Sequence, residues 1–349
     1  MKKLQIALIA IICTLSVASC GKVKGNLGEG IYQPNIKISK IYTGSNNLAQ
    51  SWDWGTSKLS SIQDIENGIN YSFSYAGDML GNVTMDYTDD TPSQSIFYSY
   101  GGTMLTQVEI VEGTQTMVKM FVNHDADDHI STINLDISND YLIRMAKQLL
   151  FQKSALSHVI SSNAFNAMAA INEISISKKA PKYDVSNKHF TITYTWNGDN
   201  ISSEVTSGNV SATATINDIS SAFDLGSVSS LLQYFGSDTE YPLSCTVSSK
   251  TEYLYDDAKN PLQYCWANGI DATNLSRNNV TKATTTGSAD ATFTLIVPES
   301  IPLIGGMSYD VPRNIDLGET QEYTYKYNKK NYPESYTNNG VTHTYEYTK

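Results

Sequence analysis

Residues 98–108 read YSYGGTMLTQV, with two aromatic residues two positions apart, a four-residue turn, and then two apolar residues three positions apart. Aromatic side chains at positions i and i+2 share one face of a β-strand. The Gly-Gly pair between the two halves supplies the backbone angles that a tight reversal needs. The stretch therefore predicts a β-hairpin with one apolar face.

The same frame recurs along the chain. It is present at residues 52–62, 73–83, 194–201 and 325–332, and residues 120–133 are a degenerate copy with a longer turn. Copies that start about 21 to 25 residues apart match a strand–turn–strand unit plus a connection, and neighbouring units are expected to pair. We therefore predict a mainly β fold. Its architecture would be a curled antiparallel meander of repeated hairpins, an open or partly closed barrel-like sheet.

Two segments break the β pattern. Apolar residues at helical spacing occur within residues 140–156 and, over a shorter stretch, within residues 227–235. These stripes predict amphipathic helices in insertions near residues 140–170 and 218–236. Because each helix would otherwise leave its apolar stripe in water, we expect both to pack on the concave face of the sheet.

The N-terminus has the three parts of a lipoprotein signal peptide. Residues 1–19 contain a basic start, an apolar run too short to span a bilayer and a small-residue cleavage site. Cys20 directly follows Val-Ala-Ser, which resembles a lipobox, so we expect Cys20 to carry the lipid. Residues 20–35 are then a lipidated tether, and residues 36–349 form a single large β domain.

The composition narrows the environment and the partners. A formal net charge of -11 argues against nucleic acid, whose binding rests on Lys and Arg. A transmembrane barrel would need strands of about nine to eleven residues with an apolar lipid-facing side. The outward positions of these hairpins carry Ser, Thr, Asp and Lys instead. We therefore favour a fold that stands in water and meets the membrane only through its lipid.

Two cysteines, Cys245 and Cys265, remain after the signal peptide and the lipidated residue are set aside. If residues 246–255 and 262–267 paired as a hairpin, Cys265 would lie opposite about Glu252. Cys245 would then be about 23 Å further along the strand, at about 3.3 Å per residue. A disulfide needs Cα atoms within about 7 Å, so we predict two buried thiols.

The chain shows no constellation of catalytic residues. It contains neither a G-x-S-x-G elbow nor an H-E-x-x-H motif, so we assign no catalytic residue and no cofactor. One turn resembles a metal site and contains His124, Asp125, Asp127, Asp128 and His129. It lacks the glycine and the distant Glu of a calcium-binding loop, so we interpret it as a solvated turn and assign no metal.

The aromatic residues of the hairpins suggest a binding surface. Their apolar faces and polar tips suit a sugar or a peptide. The alternative is that they pack in the core and form ladders across strands. The candidate platform consists of Trp52, Trp54, Tyr75, Tyr98, Tyr100 and Trp196.

Three classes of function remain open. We favour a non-catalytic module that binds a glycan, a peptide or an envelope protein. The second class is a structural or assembly protein of the cell envelope. The third is a glycoside or peptide hydrolase, because paired carboxylates can lie far apart in sequence.

A family resemblance rests on the hairpins, on residues 255–262 (YDDAKNPL) and 276–280 (SRNNV), and on the closing tyrosines of residues 325–347. These features resemble Bacteroidota-type lipoproteins, in particular an uncharacterised domain-of-unknown-function family described as having a porin-like β-fold. The resemblance covers most of residues 36–349. It implies that fold and an outer-membrane lipoprotein, and it offers no functional residue to carry over. Basic residues follow Cys20 where surface-exported lipoproteins often have acidic ones, which favours the periplasmic face.

Overall fold

The structure is a computed structural model. It describes residues 31–44, 46–139, 141, 184–215, 239–266, 272–300 and 305–348. Within these residues, no helix is long and apolar enough to cross a membrane. Cys20, the signal peptide and most of the tether lie outside the described residues.

The described chain is almost entirely β-structure, with one four-residue helix, α1 (Ala272–Leu275). The strands alternate with short turns in which glycine often adopts a positive φ, as at Gly77 and Gly102. The strands are β1 (Ile38–Thr43), β2 (Asn47–Trp54), β3 (Leu59–Asp64), β4 (Ile69–Ala76), β5 (Met79–Tyr87), β6 (Gln94–Gly101), β7 (Met104–Glu112), β8 (Gln115–His124), β9 (Ile130–Ile137), β10 (Asp184–Asn197), β11 (Asn200–Thr215), β12 (Glu240–Lys259), β13 (Asn278–Ile296), β14 (Ser308–Asp316), β15 (Glu319–Tyr327), β16 (Pro333–Asn338) and β17 (Val341–Tyr347).

The sheet closes on itself. β1 pairs with β2 on one side and with β17 on the other, with Ile38 opposite Tyr347. β14 pairs with one half of β13 and β15 with the other half, so β14 is the extra strand of a ring of sixteen. The prediction of an antiparallel meander is confirmed. The prediction of an open or partly closed sheet is wrong, because pairing between the first and last strands leaves the ring without an edge.

The repeat extends around the whole ring as eight hairpins. In each one the pairing register shifts beside the second aromatic position, which marks a β-bulge. The eighth hairpin is shared by the two ends of the sheet, because Tyr347 has the aromatic position and Ile38 the apolar position opposite it. The residues at the second aromatic position are Trp54, Tyr75, Tyr100, His124, Trp196, Tyr255, Tyr327 and Tyr347.

A serine or threonine hydroxyl stabilises five of these bulges. Ser60 Oγ donates to the carbonyl of Asp53 at 3.0 Å, and Thr106 Oγ1 donates to the carbonyl of Ser99 at 3.1 Å. A bulge disrupts the backbone ladder locally, so the hydroxyl supplies a donor there. The equivalent residues in three other hairpins are Ser39, Ser131 and Ser202.

The inner and outer faces of the barrel differ in polarity. The inner faces of β2 to β9 form an aliphatic wall of fully buried side chains. The outer face is polar, with cross-strand ion pairs such as Lys119–Glu109 at 2.8 Å. Exposed large apolar side chains in the described chain include Phe97, Phe121 and Leu254, which lie on separate strands. The aliphatic wall includes Ile62, Val83, Ile96, Val108, Ile110, Met120 and Ile133, each 0% exposed.

The connection between β12 and β13 enters the barrel and crosses it. We call its described residues, 260–266 and 272–276, the plug. Trp266 is 1% exposed and stacks on Tyr98 and Tyr100 of β6, with ring centroids 5.2 and 6.5 Å away. Since β6 lies six strands from β12 around the ring, the plug spans the interior. The N-terminal Tyr32 hydroxyl donates to the plug carbonyl of Pro261 at 2.8 Å.

The structure bears on the predicted helices and on the predicted buried thiols. The predicted helices of residues 140–156 and 227–235 lie outside the described residues, apart from Tyr141. Within the described chain, the prediction of amphipathic helices on the concave face is wrong, because the one helix described there, α1, is a four-residue turn of the plug. Cys245 and Cys265 are buried thiols with no disulfide, as predicted. The hairpin used to reach that result is wrong, since Thr284 and not Cys265 lies opposite Glu252.

Candidate functional site

The predicted aromatic platform lies at the end of the barrel that carries the plug. Four of its six side chains donate a hydrogen bond, from an indole N–H or a phenol hydroxyl, to a backbone carbonyl of the neighbouring hairpin. The bonds run from Trp54 to Ile38 (2.7 Å), from Tyr75 to Leu59 (2.9 Å), from Tyr100 to Leu80 (2.8 Å) and from Trp196 to Ile130 (2.8 Å).

The other two members of the platform are buried. Trp52 is 5% exposed and Tyr98 is 6% exposed. The six rings are distributed over β2, β4, β6 and β10, so the structure does not bring them together as one exposed surface. A ligand platform at these residues stays a prediction, and their contacts link neighbouring hairpins.

The acidic turn between β8 and β9 is organised by one carboxylate. Asp125 Oδ1 accepts hydrogen bonds from the backbone N–H groups of Asp127 at 2.9 Å and His129 at 2.8 Å. The His129 ring stacks on Trp196 at 4.9 Å. Side-chain ligand atoms of Asp125, Asp127 and His129 lie within 4.8 Å of one another. These bonds account for the conformation of the turn without an ion, and its interpretation as a solvated turn stays a prediction.

A different cluster of side chains lines the inner face of β15, β16 and β17. We call it the tyrosine face. Tyr336 lies at its centre, with ring centroids 5.8 Å from Tyr325 and 6.0 Å from Tyr345, and stacks on His343 at 4.6 Å. These side chains are half-buried, unlike the aliphatic wall. The face consists of Tyr323, Tyr325, Tyr327, Tyr336, His343, Tyr345 and Tyr347.

Strand register explains why these residues share the interior. Tyr345 lies directly opposite Ile41, a buried core residue, and cross-strand partners point to the same side of a sheet. Tyr336 lies opposite both Tyr325 and His343, so all three have the same orientation as Tyr345. The alternate positions, such as Thr324 and Thr344, are exposed on the outer face.

The hydroxyls of the tyrosine face fall into two groups. Tyr323 donates to Gln321 Oε1 at 2.6 Å, Tyr347 donates to the carbonyl of Pro333 at 2.6 Å, and Tyr327 donates to Asp256. The central hydroxyls of Tyr325, Tyr336 and Tyr345 have no hydrogen-bond partner within the described chain.

Burial and nearby negative charge keep these phenols protonated. Burial, and then the Glu66 carboxylate, raise the pKa of Tyr336 to about 12. Burial, followed by neighbouring tyrosines, also raises the pKa of Tyr325 and Tyr345. Burial lowers the pKa of His343, an effect that Glu66 partly opposes. Near neutral pH the face is therefore an uncharged array of hydrogen-bond donors and acceptors.

The closing tyrosines stand out in the sequence, but their pattern was not interpreted as a site. The missed signal was their period. Tyr323, Tyr325 and Tyr327 alternate along one strand and Tyr345 and Tyr347 along another, so each set shares a face. The predicted meander places the next strand, β16, between these two, but it did not specify the register that sets Tyr336 opposite Tyr325 and His343.

Comparison with known proteins gives weak structural likenesses to porin-like proteins. No protein-family model matches the chain, and no curated protein matches it. A crystal structure of a porin-like protein from Bacteroides vulgatus matches with a TM-score of 0.37 and 10% identity, over 89% of this chain and 99% of that chain. A porin-like protein from Bacteroides uniformis matches with a TM-score of 0.30 and 10% identity, over 89% and 98% of the two chains. Neither likeness is close enough to bear on function.

Proposed function

We propose that this chain is a lipid-anchored protein of the cell envelope whose barrel stands in water and binds a ligand or partner without catalysis. The observation that carries the proposal is the polarity of the wall. A barrel embedded in lipid carries an apolar outward band about 25 Å tall. Here the described outer face is polar, while residues such as Ile62 and Val108 are buried inside.

The plug supports a binding role over passage of solutes. The stacking of Trp266 on Tyr98 places a packed segment across the interior of the barrel. Large open barrels that conduct solutes keep a polar, water-filled channel instead. The tyrosine face is a half-buried, polar part of the described interior, and we propose that binding takes place there.

The membrane location follows from the sequence signals. Acylation of Cys20 would hold the domain at a membrane, because each buried methylene contributes about 0.8 kcal/mol and two or three chains suffice for stable anchoring. The basic residues Lys22 and Lys24 favour the periplasmic face of the outer membrane.

Fatty-acid labelling and membrane fractionation of a Cys20→Ala variant test this proposal. We expect wild-type protein to be labelled and membrane-bound. The variant should be unlabelled and should remain folded in the soluble fraction without detergent, as judged by circular dichroism and protease resistance. A Cys13→Ser variant, altered within the signal peptide but outside the lipobox, is the matched control and should behave as wild type. Cys20→Ala protein that is still integral to the membrane would contradict a barrel in water.

A further inference from the structure

We propose that the tyrosine face binds an uncharged, hydroxyl-rich ligand of the saccharide class. This inference rests on the proposed binding function and specifies its ligand. It is carried by the central hydroxyls of Tyr325, Tyr336 and Tyr345, which lie on half-buried side chains and have no hydrogen-bond partner in the described chain.

The unpartnered hydroxyls are the first step. Polar groups in a protein interior are nearly always hydrogen-bonded to protein or water. Six of the aromatic residues at the second aromatic positions follow this rule, for instance Tyr75 and Tyr347. The hydroxyls of Tyr325, Tyr336 and Tyr345 have no partner in the described chain and are not sealed from solvent, so water can satisfy them. A ligand that displaces this water meets three neighbouring donors and acceptors on one surface.

The packing of the rings indicates which part of each side chain a ligand meets. Tyr325 stacks on Tyr327 with an interplanar angle of 16°, and Tyr345 stacks on Tyr347 at 16°. The Tyr336 ring is stacked on His343 at 13°. Recognition of a quaternary ammonium group needs open ring faces around the cation. Because neighbours cover faces of these rings, the hydroxyl-bearing edges are what remains to contact a ligand.

The carboxylates beside the tyrosine face disfavour an acidic ligand, and one of them, Asp256, accepts a hydrogen bond from Tyr327. The charged groups that act on Tyr336 and Tyr325 are the carboxylates of Glu66 and Asp256. An anionic ligand would meet repulsion there, whereas sugar hydroxyls both donate to and accept from phenol hydroxyls. A neutral saccharide therefore fits this surface better than a uronate, a phosphate or a carboxylate.

Isothermal titration calorimetry on the soluble Cys20→Ala protein tests the inference. The probes are neutral oligosaccharides of the malto-, cello-, xylo- and manno- series and the acidic oligogalacturonides. We expect saturable binding of at least one neutral series and none of the acidic one. A parallel arm with purified peptidoglycan fragments and lipopolysaccharide core oligosaccharide distinguishes a free glycan from one that belongs to the envelope.

Substitutions locate the site. A hydrogen bond contributes about 1 kcal/mol, so Tyr336→Phe and Tyr345→Phe should each weaken binding about fivefold. The matched control is the pair Thr324→Val and Thr344→Val, which removes hydroxyls from the outer face of the same strands and should leave affinity unchanged.

Several outcomes would overturn the inference. These are no binding of any neutral saccharide, preferential binding of oligogalacturonides, or binding that the Tyr→Phe changes leave intact. None of these results affects the membrane-release test of Cys20→Ala, so a wrong ligand can be separated from a wrong proposed function.

Discussion

The aliphatic wall and the tyrosine face are built on the same hairpin frame and have opposite interiors. Ile62 and Tyr336 occupy equivalent positions, each three residues after the apolar position that follows the hairpin turn, at Leu59 and Pro333. Ile62 is fully buried, whereas Tyr336 is half-buried and its hydroxyl has no partner in the described chain. The frame therefore sets the path of the backbone. The residue at the inner position decides whether that part of the interior is apolar and fully buried or polar and half-buried.

The largest expected effect comes from the plug, whose Trp266 packs on β6 in the region of the aliphatic wall. Trp266→Ala should lower the free energy of unfolding by about 3–5 kcal/mol, because it removes a fully buried indole that stacks on Tyr98. Urea unfolding of the Cys20→Ala protein measures it. Leu254→Ala, at a side chain that is 62% exposed, is the control and should change stability by less than about 0.5 kcal/mol. Equal effects of the two changes would mean that the plug does not contribute to the core.

A change in the aliphatic wall should have the next largest effect. Ile62→Ala should cost about 3 kcal/mol, since it opens a cavity among side chains that are fully buried. The neighbouring change Ser61→Ala, on the outer side of the same strand, should cost little. If Ile62→Ala lowered the free energy of unfolding no more than Ser61→Ala in urea, the contrast between a fully buried aliphatic wall and a half-buried tyrosine face would fail.

Two hydroxyl deletions separate structural tyrosines from those of the tyrosine face. Tyr100→Phe should lower the free energy of unfolding by about 1 kcal/mol, because the Tyr100 hydroxyl donates to the carbonyl of Leu80. Tyr345→Phe removes a hydroxyl without a partner, so the free energy of unfolding should stay within about 0.5 kcal/mol of wild type. A larger loss for Tyr345→Phe than for Tyr100→Phe would reverse the assignment of the two groups.

The smallest effect is a dependence of stability on pH in the tyrosine face. Burial lowers the pKa of His343 in the folded state, so the unfolded chain takes up this proton at a higher pH than the folded chain does. The contribution of His343 is therefore fully present above the unfolded value of about 6.5 and is lost as the pH falls. Unfolding measured from pH 7.5 to 5.5 should show a shallower slope for His343→Gln than for wild type. The exposed His189→Gln is the control, and an unchanged slope for His343→Gln would contradict the prediction.

The hairpins were predictable because their signals are local. The aromatic pairs at Trp52, Tyr98 and Tyr194, together with glycine turns, specify each hairpin within about a dozen residues. Closure of the ring was not predictable in the same way, because it depends on pairing between Ile38 and Tyr347, some 300 residues apart. Residues 262–267 were predicted to form a hairpin strand because of their composition, whereas Trp266 packs on Tyr98 and Tyr100 as part of the plug.

The candidate site shows the same division between local and distant information. The alternation of Tyr323, Tyr325 and Tyr327 is visible in the sequence, and so is the strand that carries them. Some tyrosine hydroxyls bond to a neighbouring hairpin, and others belong to the central, unpartnered group of the tyrosine face. Which of the two occurs depends on the backbone carbonyls that the neighbouring hairpin places within reach. Tyr75 meets the carbonyl of Leu59, whereas Tyr345 meets other rings. That difference is a property of the assembled ring, so no single hairpin reveals it.

The hairpin shared by β1 and β17 has a consequence for assembly and engineering. Until both strands are present, each has an unpaired edge, so the pairing that closes the ring is the last one that the chain can complete. Contacts between residues so distant in sequence are also the slowest kind to form. Because Ile38 and Tyr347 are direct partners, a short linker between them could replace the natural break. New chain ends could then be opened at an exposed turn such as the one at Gly113. In its connectivity the barrel is a closed ring of eight hairpins, and the hairpin formed by β17 and β1 is the one that has no connecting turn.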